Sequence, residues 1–299
     1  MKLALRIEVA TLRGTREAVP RLVALLKEHR AHATFLLTLG PDRTGRALGS
    51  LPRVSKLKCY GLRAMLSGTL LPAPDIGLTC ADVLRALPQD GHEAGILAYD
   101  RAAWVNQIAA ADEAWTMAAM QRARERYEEI FAVPALTHGA PGWRMNRFAY
   151  RLGQRLGFRH CSDTRGPGPF IPVIRGEVVA CPQLATTLPT LDELMAGGLG
   201  PDQAVQRLLA ASRESPPAGH VFTLRAEVEG TIHAPALRGL LAGWSALGME
   251  ILALRDYATG LDLARLPRRV VDEEQAAGAR GPIAVAGKEF LADAAVARD

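Results

Sequence analysis

The order of apolar patterns along the chain limits its possible folds more than any other feature. Runs with apolar residues two apart, the spacing of a buried strand, alternate with stretches that repeat every three to four residues, the spacing of a helix. The first cycle reads "LALRIEVA", then the helical "REAVPRLVALLKEHR", then "HATFLLTLG", and similar cycles continue to "MEILAL" near residue 254. Repeated strand-helix units predict an α/β protein with a parallel sheet, and their number favours a barrel over an open sheet.

Two segments depart from this alternation. We expect one barrel domain over residues 1–265, because 299 residues allow one large core. Residues 47–75 read as an insertion that mixes basic side chains, among them Arg53 and Arg63, with Leu, Met and Tyr. An interfacial or lid-like segment and a solvated helix packed on the barrel both fit that pattern. Residues 266–299 lose periodicity and gain charge and glycine, which predicts a poorly ordered tail.

The composition narrows the class of protein. The net charge is +5, from 36 basic and 31 acidic residues, which favours an anionic partner such as a phosphate or an anionic membrane surface. The basic residues do not cluster as in nucleic-acid binders, so we expect no nucleic acid. Four scattered cysteines suggest neither a disulfide framework nor a zinc ribbon. With no signal peptide and no run of about 18 apolar residues, a cytoplasmic protein is expected.

Polar residues collect after the strand-like runs. Glu8 sits near the end of the first buried strand, where a carboxylate is costly unless it is paired or used. Later runs are followed by "AYDRAAW", "HGAPGWR", "SDTRG" and "TLRAEVEG". Because barrels carry their chemistry at the carboxyl ends of strands, we expect these side chains to meet at one end of the barrel.

These segments also carry a resemblance. In order and approximate spacing, "RIEVATLRGTREAVPRL", "GHEAGILAYDRAAW", "GAPGWR", "SDTRGPGPF", "PQLATTLPTLDEL" and "VFTLRAEVEG" resemble the polysaccharide deacetylase family over about residues 1–260. The resemblance implies a distorted (β/α) barrel. In the branch that the segments match best, it implies removal of the N-formyl group from 4-deoxy-4-formamido-L-arabinose linked to undecaprenyl phosphate, a step of lipid A modification.

The family would use a divalent metal such as zinc or manganese, held by one Asp and two His. The resemblance puts Ala10, Leu97 and Arg101 at those ligand positions. Alanine and leucine have no donor atom, and a guanidinium does not lose its proton to ligate a metal. We therefore expect no metal cofactor and a loss of metal-dependent hydrolysis. A displaced metal site is the alternative, built from one of three histidines with nearby acids: His138, His160 or His233.

The resemblance also assigns catalytic positions. Glu8 takes the position of the base, Arg144 that of the arginine paired with it, and Asp163 that of the acid that orients a general-acid histidine. Arg225 stands where that histidine would be. We expect ion pairs between Glu8 and Arg144 and between Asp163 and Arg225. Two functions stay open: an inactive binding homologue, or an active hydrolase of non-peptide carbon–nitrogen bonds that uses Glu8 and arginines in place of the metal.

Five further residues are candidates for contacts with a lipid-linked amino-sugar phosphate: Arg13, Asp100, Trp143, Glu227 and Glu229. Trp143 fits sugar stacking and a core position equally well. Glu227 and Glu229 are expected on one strand face, where they could hold the amino sugar or pair with Arg225. A lipid-linked substrate further implies weak peripheral binding to the anionic inner face of the cytoplasmic membrane.

Overall fold

The structure is a computed structural model that describes residues 1–51, 56–214, 216–275 and 281–291. Its strands are β1 Lys2–Val9, β2 Thr34–Thr38, β3 Glu93–Ala98, β4 Thr137–His138, β5 His160–Cys161, β6 Ile171–Ile174, β7 Glu177–Val178, β8 His220–Arg225, β9 Glu250–Leu252, β10 Arg268–Glu274 and β11 Ile283–Glu289. Seven of them form a parallel sheet in the order β5-β4-β3-β2-β1-β8, with β9 paired to the start of β1. The predicted distorted (β/α) barrel is confirmed.

Helices alternate with these strands along the chain. They are α1 Val19–Glu28, α2 Lys56–Leu66, α3 Ile76–Thr79, α4 Ala81–Gln89, α5 Arg101–Gln107, α6 Glu113–Phe131, α7 Arg147–Arg155, α8 Leu191–Ala196, α9 Pro201–Ala211, α10 Ala226–Glu229, α11 Ala234–Ala246 and α12 Leu254–Thr259. Among the described residues, none of these helices combines the length and the apolar character needed to cross a bilayer.

The alternation in β1 determines what faces the inside of the barrel. Leu3, Leu5 and Ile7 pack in the main core with the apolar side of α1. Because successive side chains of a strand point to opposite faces, Arg6 and Glu8 point the other way. Both are almost completely buried. The strand that anchors the core therefore also carries two charges into the barrel.

The expectation of a poorly ordered tail is wrong for most of its described part. β10 and β11 pair antiparallel and join β6 and β7 in a second sheet, in the order β11-β10-β6-β7. Ile283 and Val285 of β11 are buried against Trp143, so this charge-rich segment still has apolar residues two apart to bury. Residues 276–280 and 292–299 of the predicted tail lie outside the described residues.

Part of the predicted insertion forms α2. This helix buries Cys59, Tyr60 and Ala64 in a small cluster with Val228 of α10, directly after β8. Residue Arg53, one of the basic residues predicted there, lies outside the described residues. Since β8 ends at Arg225, α2 packs beside the carboxyl end of the barrel, where the candidate residues were expected.

Candidate active-site region

Glu8 is a buried, ion-paired carboxylate at the end of β1. Its Oε1 accepts hydrogen bonds from Arg6 Nη1 at 2.7 Å and from the Gly142 N–H at 3.2 Å. Its Oε2 lies 3.7 Å from Arg225 Nε. Burial raises the pKa of Glu8, but Arg6 and Arg225 together lower it more, so the net pKa falls below its ordinary value. The carboxylate is therefore held in its ionised form.

Arg6 is the partner of Glu8 that the sequence interpretation missed. Besides Glu8, it donates from Nε to the Ser162 carbonyl at 3.1 Å and from Nη2 to the Ala140 carbonyl at 2.8 Å. The expected pairing of Glu8 with Arg144 is thus wrong. The signal was present, because residues two apart in a strand share a face.

Arg144 points away from Glu8 because of the turn before it. Gly142 and Trp143 both have left-handed backbone, with φ of +57° and +56°, in a tight turn over Pro141–Trp143. The Arg144 guanidinium lies beside Gly281, just before β11, where an added Cβ would be 2.9 Å from Nη2. Burial lowers the pKa of Arg144, with Glu273 opposing that shift.

Asp163 is held by neutral donors and a histidine rather than by Arg225, so the second expected ion pair is also wrong. Asp163 Oδ1 accepts from the Ala140 N–H at 2.8 Å and lies 2.7 Å from His138 Nδ1. Its Oδ2 accepts from Gln183 Nε2 at 3.0 Å. His138 lies on β4, opposite Cys161 of β5, and Asp163 follows β5 by two residues, which places its carboxylate next to the His138 ring.

Arg225 pairs with a residue that was not predicted. Its Nη1 forms an ion pair with Oδ2 of Asp192, in the first turn of α8. Burial lowers the pKa of Arg225, but Asp192 and Glu8 raise it more, and the net shift is upward. Asp192 lies in "PTLDEL", one of the segments that carry the family resemblance.

Glu227 and Glu229 lie on α10, because β8 ends at Arg225; the expected shared strand face is wrong. Glu227 Oε1 accepts from the N–H groups of Ala10 and Thr11, both at 2.9 Å. Its Oε2 has no partner among the described residues. Burial raises the pKa of Glu227. Burial and the nearby charge of Asp192 raise the pKa of Glu229 to about 8.

The residues at the family's ligand positions do not fit a metal ion. Ala10 and Arg101 line one cavity of about 10 Å³, which has room for one water molecule at most. Arg101 reaches Ser50 from its two Nη atoms at 3.3 and 3.4 Å, and Leu97 is fully buried. This position thus has an alanine, an aliphatic side chain and a permanent cation, none of which can donate a lone pair to a metal.

The displaced metal site gains no support. His138 lies against Asp163, whereas His160 Nε2 lies 3.2 Å from Glu93 in a separate pair. Across the described parts of the chain, no group of three or more His, Cys, Asp or Glu side chains is arranged to hold an ion. His138 and His160 therefore form separate contacts within the protein, and His233 directly precedes α11.

Of the remaining predicted contacts, Arg13 lies at the edge of the site. It is about one-third exposed, pairs with Glu17 at 3.0 Å, and donates to the Lys58 carbonyl at 3.2 Å. It therefore holds α2 against the turn after β1.

Asp100 and Trp143 are also engaged by the protein. Asp100 caps α5 by accepting from the Ala103 N–H at 2.9 Å and pairs with Arg43 at 2.6 Å. Trp143 is buried, and its indole N–H donates to the Thr186 hydroxyl at 3.1 Å. Trp143 thus occupies the core position that the sequence left open.

Tyr60 is a third residue that the sequence interpretation missed, after Arg6 and Asp192. Its burial raises its pKa well above the ordinary value, with Glu227 adding to the shift and Arg225 opposing it. Tyr60 packs in the cluster with Val228 of α10, the helix that also carries Glu227. α2 thus brings a bulky side chain to the charges at the end of the barrel.

Comparisons with known proteins agree with this architecture. No family model matches the sequence. The chain is 32% identical over 249 residues to the probable 4-deoxy-4-formamido-L-arabinose-phosphoundecaprenol deformylase ArnD of Shewanella sediminis (strain HAW-EB3), covering 80% of each chain. It is 30% identical over 192 residues to the protein of the same name from Wigglesworthia glossinidia brevipalpis, covering 61% of this chain and 67% of that relative.

Two solved structures share the fold. A crystal structure from Mycobacterium smegmatis, assigned as a polysaccharide deacetylase, has a TM-score of 0.63 at 18% identity and covers 92% of this chain and 94% of its own. A CE4 family pseudoenzyme from Bacillus anthracis has a TM-score of 0.53 at 12% identity, with 86% of this chain and 65% of its own covered. At such identities the likeness concerns the fold alone.

Proposed function

This chain belongs to the polysaccharide deacetylase family, as a relative of the ArnD deformylases, and from that premise we propose that it binds a sugar of the ArnD substrate class without hydrolysing it. The observation that carries this proposal is the chemistry of Ala10, Leu97 and Arg101 at the ligand positions. The name of these relatives specifies a formamido-arabinose linked through phosphate to undecaprenol. We infer the same ligand class here.

The loss of the metal would have a large effect on rate. A catalytic zinc lowers the pKa of its bound water from about 15.7 to about 7 and stabilises the developing oxyanion. Each 1.36 kcal/mol of barrier is about tenfold in rate, so losing both effects should remove about three to six decades of activity.

An active hydrolase that uses Glu8 and arginines is the alternative. A general base works best when its pKa is near the operating pH and when an oxygen is free to take the proton. The pKa of Glu8 is lowered instead, Oε1 already accepts two hydrogen bonds, and Oε2 faces Arg225. Glu8 is thus a poor base, and these contacts favour the binding protein over the hydrolase.

Formate release tests the proposal directly. The purified protein and the Shewanella sediminis relative are incubated with undecaprenyl-phosphate-linked 4-deoxy-4-formamido-L-arabinose, and the metal content of each is measured. We expect no formate above the blank from this chain. Formate release with bound metal would contradict the proposal, and release from metal-free protein would establish the alternative hydrolase.

We also infer contact with the inner face of the cytoplasmic membrane. Leu57 and Leu62 of α2 and the nearby Leu70 are more than half exposed, and Lys58 and Arg63 are exposed beside them. Each basic residue near an anionic surface contributes about 1 kcal/mol. We expect the protein to sediment with anionic vesicles more than with neutral ones, and Lys58→Glu with Arg63→Glu to abolish the difference. Equal sedimentation with both vesicle types would contradict the inference.

A further inference from the structure

A groove beside the family's metal-ligand positions is large enough for a small molecule. Its cavity of about 290 Å³ lies between the end of β3 and α6 and is close to the lower limit for small-molecule sites. We call it the Trp115 groove, and its principal lining residues are Arg43, Tyr99, Asp100, Trp104, Trp115 and Arg122. Pro41 and Arg43 also line the 10 Å³ cavity, so the two spaces are neighbours.

The aromatic side of the groove is rigid at its base and open above. Trp104 is buried and donates its indole N–H to the Arg144 carbonyl at 2.8 Å. Trp115 packs on it, with ring centroids 6.3 Å apart, and is itself only partly buried. An indole held in this way offers a flat apolar surface, which suits the C–H face of a sugar ring.

The other side of the groove has a positioned cation. The central carbon of the Arg122 guanidinium lies 4.4 Å from the Tyr99 ring centroid, which is a cation–π distance. Arg122 is exposed. Within the described ranges of the chain Arg122 makes no ion pair, whereas Arg43 already pairs with Asp100 at 2.6 Å. The groove therefore has a net positive charge. A guanidinium fixed in orientation is well matched to phosphate oxygens.

We propose that the Trp115 groove binds a phosphorylated monosaccharide, with the sugar ring on Trp115 and the phosphate on Arg122 and Arg43. The volume suits one sugar ring with its phosphate, so a polyprenyl chain attached to that phosphate would lie outside the groove. This proposal rests on the proposed function for the ligand class, and it places the binding site outside the family's catalytic positions. The neighbouring cavity of about 10 Å³ is too small for that ligand.

Binding is measured by calorimetry with L-arabinose 1-phosphate, L-arabinose and inorganic phosphate. We expect the sugar phosphate to bind at least tenfold more tightly than either component. Arg122→Ala and Trp115→Ala should each weaken its binding at least tenfold. Arg124→Ala is the matched control, because Arg124 lies on the same helix, pairs with Glu128 and does not line the groove. This variant should bind the sugar phosphate as tightly as the unmodified protein does.

The proposal is overturned if the sugar phosphate does not bind, or if Arg122→Ala and Arg124→Ala weaken binding equally. Near-ultraviolet circular dichroism of each variant verifies the fold. A second experiment presents the same sugar phosphate on a polyprenyl lipid in neutral vesicles. If the protein sediments with these vesicles and Arg122→Ala abolishes that sedimentation, the groove also binds lipid-linked ligands. Formate release would overturn the proposed loss of hydrolysis without affecting this titration, so the two failures are distinguishable.

Discussion

Buried charge is compensated differently on the two sides of the carboxyl end of the barrel. On the side of β4 and β5, Asp163 receives hydrogen bonds from a backbone N–H and a glutamine amide and contacts His138. On the side of β1 and β8, Glu8 and Arg225 belong to a chain of ion pairs that ends at Asp192. Arg225 Nε and Asp192 Oδ1 lack hydrogen-bond partners among the described residues.

The difference teaches what arginine can and cannot replace. Both carboxylate oxygens of Asp163 have partners within the protein, although the Thr137 and Thr164 hydroxyls on this side have none among the described residues. Of the positions at which the family would hold a dication, Ala10 follows β1, whereas Leu97 lies in β3 and Arg101 opens α5. Guanidinium groups restore the positive charge there, but their fixed planar geometry leaves individual polar atoms without partners. Variants on each side test this contrast.

The largest expected effect comes from Arg6, which joins the two sides. Arg6→Met removes the buried partner of Glu8 and also leaves the Ala140 and Ser162 carbonyls without their donor. An uncompensated buried charge costs about 3–5 kcal/mol, and we expect the free energy of unfolding to fall by at least that much. Urea denaturation measures it; a loss below about 1 kcal/mol would mean that Glu8 is not held by Arg6.

Arg225→Met should cost less, about 2–4 kcal/mol, because the Arg225 side chain is 17% exposed and Glu8 retains Arg6. Adding Asp192→Asn removes the carboxylate left unpaired and should recover most of the loss. The double-variant cycle is read from the same denaturation curves. Additive losses would show that Arg225 and Asp192 do not interact.

Glu229→Gln should stabilise the protein near neutral pH. The pKa of Glu229 is about 8 in the folded protein, against a reference value of 4.5, so this carboxyl loses its proton at a lower pH in the unfolded chain than in the folded one. Stability from the protonated group is complete below about 4.5 and is lost as pH rises towards 8. We expect the free energy of unfolding of Glu229→Gln to exceed that of the unmodified protein by an amount on the order of 2–3 kcal/mol at pH 7. Between pH 5 and 8 the melting temperature of the variant should fall less than that of the unmodified protein. If the melting temperatures of the two proteins depended on pH in the same way, the raised pKa of Glu229 would be refuted.

Asp163→Asn should have the smallest effect, about 1–2 kcal/mol. The amide oxygen can still accept from the Ala140 N–H and His138, and only the contact to Gln183 must rearrange. A loss as large as that of Arg6→Met would mean that the two sides do not differ, and would remove the contrast drawn above. Thermal and urea unfolding at one pH are sufficient for the comparison.

The sequence predicted the sheet better than the contacts inside it. The periods of two and of three to four residues indicate which faces are buried, so the barrel was predictable. The pairing of Glu8 depends on the turn over Pro141–Trp143, whose left-handed Trp143 turns Arg144 away, and no local pattern indicates that. Arg6 was predictable from its spacing to Glu8. Asp192 and Tyr60 reach the site from segments distant in sequence, which only the tertiary fold brings together.

A calorimetric zinc titration of the dialysed protein, beside the variant with Ala10→Asp, Leu97→His and Arg101→His, tests the central claim most directly. If the barrel has kept the family's geometry and lost only the ligand atoms, the unmodified protein should show no tight site. The triple variant should then bind one zinc ion. One equivalent of zinc retained by the unmodified protein through dialysis would contradict the account.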